Sequence, residues 1–295
     1  MHDWPAIAAS LAETLAIEVA PQPAGRVHGG CINDSYRWES GTGPIFVKVG
    51  AVHALGAFEA EAAGLKELAR AEAVRVPKVG ATGATSTAAW LALEWIEFRS
   101  PTGRAETLLG EQLATQHRLM AAQYGWERDN TIGSTPQLNA WGRDWVEFFR
   151  ERRLRTQLAL ARRNGHAGRL HERGSLLLEL MGAFFASYSP VPSLLHGDLW
   201  GGNWGADAAG TPLIFDPAVY YGDREADLAM TRLFGGFSNA FYTAYHGCWP
   251  LDPAAGTRRT LYNLYHVLNH LNLFGGGYAE QAASMIDRLL AELGH

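Results

Sequence analysis

Cysteine is nearly absent: Cys31 and Cys248 are the only two in 295 residues, too few for a disulfide framework, and they point to a reducing compartment. Charge is sparse and leans acidic, with 25 Lys and Arg against 30 Asp and Glu. That balance leaves no electrostatic footprint for nucleic acid or for an anionic membrane. No apolar run reaches the roughly 18 residues of a spanning helix. The first residues carry His2, Asp3 and Glu13 where a signal peptide would be basic, so the expectation is a mature, cytoplasmic chain. Internal repeats, low-complexity tracts and a Gly-Lys-Ser/Thr phosphate loop are all missing. His266 and His270 stand four apart on a helical stretch, but no third zinc ligand is near in sequence, which favours core histidines. What is present is a chain 47% hydrophobic, enough for one large domain or two lobes with cores of their own. Ten tryptophans and 33 glycines suit carved pockets better than plain helical packing.

The most informative stretch is Leu194-Leu195-His196-Gly197-Asp198-Leu199-Trp200-Gly201-Gly202-Asn203, followed by Leu213-Ile214-Phe215-Asp216-Pro217. An aspartate and an asparagine lie five apart on one tight loop, and a second aspartate ends a short apolar run. Phosphoryl transfer needs this set: Asp198 to orient and deprotonate an attacking hydroxyl, Asn203 and Asp216 to hold magnesium on ATP. Magnesium takes hard oxygen ligands, so the residue types fit.

Ahead of that stretch, Trp4, Ile7, Leu11 and Leu15 predict a packing helix over 4–17. Gly29-Gly30-Cys31-Ile32-Asn33 lies between strand-like runs, where glycines let backbone amides approach a phosphate; an ordinary hairpin turn reads the same way. Pro44 to Val49 reads as a strand with Lys48 among apolar neighbours, placed to reach the α- and β-phosphates. A carboxylate must fix that lysine. On the helix over Phe58 to Leu68, Glu61 shares a face with Leu65 and Leu68 and is the assigned partner, with Glu59 the alternative. Further strands are expected at 74–79 and 90–97, and backbone groups at Glu94, Trp95 and Ile96 would meet the adenine edge.

Beyond residue 97 the pattern turns helical, with helices expected over 104–123, around Trp145 to Leu154, over 176–188, 261–273 and 278–293. Asn130 to Asn139 is polar, with aromatics on its flanks, so Gln137 and Asn139 are candidates to line a sugar-sized cleft. Trp200 offers a flat apolar face to a sugar ring, with packing beneath the loop as the alternative. Asp227 is expected to brace the catalytic loop from inside. Residues 205–212 and 252–260 read as surface loops. The fold expected is α+β and bilobal: an antiparallel-sheet, ATP-binding lobe over 1–97, and a mainly helical lobe over 98–295 for catalysis and substrate binding.

These residues resemble the fructosamine/ketosamine-3-kinases, an aminoglycoside-phosphotransferase-like branch of the protein-kinase-like fold. The resemblance runs over nearly the whole chain. Its most specific parts are the His-Gly-Asp-Leu-Trp loop ending at Asn203 and the Leu271-Asn272-Leu273-Phe274-Gly275-Gly276-Gly277-Tyr278 stretch. It implies ATP- and Mg2+-dependent phosphorylation of the sugar 3-hydroxyl in ketoamines, free or on protein lysines, with a deglycation-repair role. Position by position it implies Lys48 and Glu61 as the ATP-positioning pair, Asp198 as base, and Asn203 and Asp216 as metal ligands. Asp223 departs from what relatives often carry after the glycine and leaves the substrate contacts open. Relatives sharing Cys31 imply redox control through a disulfide between two chains, hence a homodimer; the plain alternative is a small residue that fits its turn. Glycine in His196-Gly197-Asp198 cannot pair with a phosphorylated loop, and the short interval from Asp216 to Asp227 leaves no room to seat a peptide, so the acceptor is expected to be small. The rival readings are a kinase for another hydroxylated amine, such as an aminoglycoside or amino alcohol, and an inactive nucleotide-binding module.

Overall fold

A computed structural model of the protein describes residues 2–27 and 34–295. Gly29, Gly30, Cys31, Ile32 and Asn33 lie outside the described residues. Helix α1 (Trp4–Leu15) starts at Asp3, whose side chain caps the Ala6 amide, and it buries Ile7, Ala8 and Leu11. Beneath it lies an antiparallel five-stranded sheet, built from β1 (Gly25–Val27), β2 (Asp34–Trp38), β3 (Ile45–Ala51), β4 (Val79–Ala84) and β5 (Ala88–Glu94) in the order β1-β2-β3-β5-β4. Alternation sorts the side chains. Val47 and Val49 of β3, with Trp90 and Ala92 of β5, face α1. Phe46 of β3, with Ala89, Leu91 and Leu93 of β5, faces the opposite layer, α2 (Leu55–Ala69). Lys48 pairs in register with Leu91, so the same alternation turns its ammonium toward α2.

Helix α2 is seated on both halves of the molecule. Phe58, Ala62 and Leu65 pack on the sheet, whereas Leu68 belongs to the large helical core. Gly64 lets the helix come so close that a Cβ would meet Val219 at 3.2 Å and Pro217 at 3.6 Å. Near the end of the helix, the Tyr221 hydroxyl donates to the Glu67 carboxylate at 2.6 Å.

The strand expected at 74–79 is displaced. Val74 is buried in the helical core, and Arg75 bridges to Leu213 instead of joining the sheet. The true strand β4 begins at Val79, and its Gly80 and Gly83 dilute the alternation that would have marked it. After β5 the chain crosses at 95–97 to β6 (Phe98–Arg99), which pairs with a hairpin of the second half, β10 (Trp204–Asp207) and β11 (Pro212–Ile214). That hairpin replaces the surface loop expected over 205–212; only its tip turns, where the Asp207 carboxylate accepts the Ala209 and Thr211 amides.

The helical half comprises α3 (Gly103–Gln116), the small hairpin β7 (Asn130–Ile132) and β8 (Thr135–Gln137), α4 (Trp145–Phe148), α5 (Arg155–Arg163), α6 (Arg169–Leu180), the pair β9 (Ser193–Leu195) and β12 (Tyr220–Gly222), α7 (Glu225–Leu233), α8 (Asn239–Cys248), α9 (Ala255–Phe274) and α10 (Tyr278–Ala291). Helix α9 is its axis, buried almost continuously from Leu261 to Leu271. It starts at Ala255, inside the loop expected over 252–260. Within that stretch Arg258 is buried on a bidentate pair with Glu225 at 2.8 and 3.0 Å, and it also meets Asp252 at 2.7 Å. Among the described residues no helix is long and apolar enough to cross a membrane.

Candidate active site

The loop from His196 to Asn203 joins β9 to β10, and the 215–219 segment joins β11 to β12, so two short sheets fix both ends of both. Asp227, near the start of α7, holds the first loop from below. Its carboxylate accepts the amides of His196 at 2.7 Å and Gly197 at 2.8 Å, and contacts His117 Nε2 at 3.2 Å. Burial opposes its charge, yet the His117 contact and the loop amides win and keep Asp227 below the usual carboxylate range. His196 is buried too. Its ring donates from Nε2 to Phe215 O at 2.9 Å, while Nδ1 accepts the Asp198 amide, which ties the two loops together.

Gly197 shows why the middle residue of the motif has no side chain. Its φ is +83°, and a Cβ there would sit 2.0 Å from Ala218 O. The Ala218 amide in turn donates to His196 O at 2.8 Å. The glycine is therefore where the two loops touch, a reason independent of any missing arginine.

Asp198 sits at the mouth of this arrangement. Burial first, then the negative charges of Asp216 and Asp227, push its carboxyl up to about 7, against the pull of the Asn203 amide. Asn203 Nδ2 donates to Asp198 O at 2.9 Å, to the Asp198 carboxylate at 3.3 Å and to Asp216 O at 3.4 Å. Asn203 Oδ1 accepts nothing from any described residue and is left for an outside partner. Asp216 is held at φ +55°, a left-handed conformation for a non-glycine residue. Its Oδ1 takes the Lys48 ammonium at 2.6 Å. Lys48 also donates to Glu61 at 2.7 Å, so the α2 carboxylate that faces it is Glu61. Glu59 is exposed and turned to Arg128. Burial works against the Lys48 charge, but two carboxylates outweigh it and hold the ammonium well above its usual range.

The donor set suits a small hard cation: the free amide oxygen of Asn203 and the outer carboxylate oxygen of Asp216 are oxygen ligands, the type that Mg2+ takes. At the crossing between the halves, the Glu94 carboxylate is taken by Arg75 at 2.6 Å and by the Lys78 amide at 3.1 Å. The backbone groups of Trp95 and Ile96 bond to no described residue, and both residues are half-buried. Trp200 is half-buried, with its ring edge-on to Phe234 at 6.3 Å.

Two expected cleft residues lie elsewhere. Gln137 and Asn139 are 1% and 0% exposed, and protein partners take their amide groups. Gln137 donates to Asn130 Oδ1 and Ala218 O and accepts from Tyr265; Asn139 donates to Asn130 Oδ1 and Arg128 O and accepts from Arg153. Polar residues beside aromatics signal buried networks as readily as clefts, and here the hairpin folds them inward. Asp223 is likewise interior, accepting from Tyr262 at 2.6 Å and Tyr188 at 3.0 Å; burial and the Glu225 charge push it up to about 6. His117, Arg153 and Tyr265 carried no signal in the sequence, since each acts on distant partners from within an unremarkable helical stretch.

Comparison with known proteins agrees with this geometry. The family model described as fructosamine kinase matches residues 3–292. A Synechocystis chain provisionally named a ketoamine kinase is 43% identical over 288 residues, 97% of each chain. The chloroplastic protein-ribulosamine 3-kinase of Arabidopsis thaliana is 41% identical over 272 residues, covering 91% of this chain and 83% of that one. A solved Haemophilus somnus structure provisionally named a fructosamine-3-kinase superposes with a TM-score of 0.88 at 27% identity, over 97% of both chains. The sheet half over a helical half is the bilobal, protein-kinase-like α+β arrangement.

Proposed function

The chain belongs to the fructosamine kinase family, and on that footing we propose that it transfers the γ-phosphoryl group of ATP to the 3-hydroxyl of a ketoamine. It is a phosphotransferase that takes an alcohol as acceptor. The observation that supports this reading best is the convergence of Lys48, Asp198, Asn203 and Asp216, drawn from three separate segments, on one face between the halves.

In this reading Lys48, fixed by Glu61, places its ammonium on the α- and β-phosphates, and free backbone groups at Trp95 and Ile96 hold the adenine edge. Gly29 to Asn33, outside the described residues, are assigned to the phosphates on their sequence alone. Asn203 Oδ1 and the Asp216 carboxylate would hold Mg2+, which supplies charge neutralisation on the phosphates when bound. Asp198 accepts a hydrogen bond from the acceptor hydroxyl, orients it, and takes its proton as the new O–P bond forms. A base poised near neutrality suits that task. Asp227 and His196 do not touch substrate; they hold the Asp198 loop. Trp200 borders the acceptor side with one ring face.

A phosphate on C3 of a ketoamine becomes allylic once the C2 carbonyl enolises toward C1. Elimination then expels inorganic phosphate, and hydrolysis frees the amine, which supports the repair role. The acceptor is a ribulosamine- or fructosamine-type adduct, free or on lysine, and the chain works in the cytoplasm. The test is phosphate transfer to synthetic ribulose-, erythrulose- and fructose-lysine, with aminoglycosides as a parallel panel and the product's phosphate located by NMR. Phosphorylation at a position other than O3, or of aminoglycosides alone, overturns the reading.

A further inference from the structure

One buried cation has no part in the site as described so far. Arg153 is 0% exposed, and no carboxylate among the described residues pairs with it. Its guanidinium is instead stacked on rings, 4.1 Å from the centroid of Tyr220 and 4.8 Å from that of Phe148. A desolvated charge without a counter-ion is costly, and aromatic faces offset only part of that cost. Something beyond packing holds an arginine here.

Its hydrogen bonds show what. Nη1 donates to Leu138 O at 2.6 Å and Nη2 to Asn139 Oδ1 at 2.7 Å. A guanidinium only donates, so Asn139 must turn its oxygen to Arg153 and its Nδ2 to Asn130 Oδ1, at 2.8 Å. Asn130 Oδ1 also receives Gln137 Nε2 at 2.8 Å, which leaves Asn130 Nδ2 for Val219 O at 2.9 Å. Gln137 Nε2 reaches Ala218 O at 3.0 Å, and its own oxygen is taken by the Tyr265 hydroxyl at 2.8 Å. The donor-only end therefore sets the direction of every amide in the relay. The relay ends on the carbonyls of the two residues that follow Asp216-Pro217, and the stacked Tyr220 is the next residue along.

We propose that Arg153 is a positioning residue for phosphoryl transfer: through Asn139, Asn130 and Gln137 it fixes residues 216–220, and with them the Asp216 carboxylate, against the loop that carries Asp198. This rests on the reading of Asp198 and Asp216 given above. Lysine could not replace it, because a point charge lacks both the fork that reaches two acceptors and the flat face that stacks.

Arg153→Met keeps the length and fills the aromatic slot while removing the donors. Hydrogen exchange by mass spectrometry on the ligand-free protein should show peptides covering 216–222 exchanging about 10-fold faster, with the sheet half unchanged and thermal stability nearly retained. The affinity for Mn2+·ADP should fall several-fold, and kcat about 10- to 100-fold, since displacements near 1 Å at reacting groups cost that much. Tyr265→Phe deletes one hydroxyl and should shift the same three readouts in the same direction by less. Uniformly faster exchange with normal turnover per folded molecule makes Arg153 a packing residue and overturns the proposal. So does a Tyr265→Phe protein identical to wild type, should Arg153→Met not fold. A wild type that phosphorylates no ketoamine removes the functional reading instead, and the exchange result still stands or falls by itself.

Discussion

Two glycines with the same backbone conformation separate strain from displacement. Gly197 has φ +83° and Gly210 has φ +85°; a Cβ at Gly210 meets nothing within 4 Å, whereas one at Gly197 would lie 2.0 Å from Ala218 O. Alanine at either position pays for left-handed φ, about 1–2 kcal/mol. In a chain of this size that lowers Tm by a few degrees. Gly210→Ala should show that loss alone, with kcat unchanged, because the β10–β11 turn touches nothing catalytic. Gly197→Ala must in addition drive the Ala218 carbonyl away by more than an ångström to reach an ordinary contact. Ala218 donates to His196 O and follows Asp216-Pro217, so the movement separates the base loop from the metal-ligand segment. Turnover should fall by about 100-fold or more. Steady-state ADP release at saturating ATP and acceptor, normalised to folded protein by circular dichroism, measures both. Equal kcat in the two variants, or a loss at Gly210 matching that at Gly197, refutes the reasoning.

Three further outcomes are expected. With Asp198 held up to about 7, kcat/KM should climb with an acid limb near neutrality, because only the ionised carboxylate accepts the proton; a pH profile flat from 5 to 8 contradicts the assignment. The same shift has a stability sign: between the ordinary carboxylate range and 7 the folded chain holds a proton that the unfolded chain has lost, so stability falls as pH rises through that window. Asp198→Asn should therefore be inactive yet more stable than wild type at pH 8, as read by urea denaturation. Arg258→Ala leaves Glu225 buried without its bidentate partner and should cost about 3–5 kcal/mol by the same method, with turnover of the folded fraction retained.

The sequence revealed most where a residue's role is set by its neighbours in the chain. The apolar neighbours of Lys48 marked its strand, the helical face that Glu61 shares with Leu65 and Leu68 favoured it over Glu59, and the five-residue interval from Asp198 to Asn203 defined the loop. Legibility ended where long-range partners decide. Gln137 and Asn139 have the composition of a cleft, but only the positions of Ala218 and Tyr265 reveal that their amides are used internally. Residues 252–260 read as a surface loop because Glu225, the buried partner of Arg258 33 residues away, is invisible to local pattern. Strand β4 hid behind its glycines, and Trp204 to Asp207 behind small residues that fit a buried hairpin as well as a surface turn.

The seat of α2 has a consequence for control. Switchable phosphotransferases can be silenced by swinging such a helix outward, carrying the glutamate off its lysine. Here Gly64 lies against Pro217 and Val219, Leu68 is sunk in the other half's core, and Tyr221 clasps Glu67. Outward rotation would tear open that core as well as break one ion pair. Among the described residues, packing therefore holds α2 inward independently of its ion pair with Lys48.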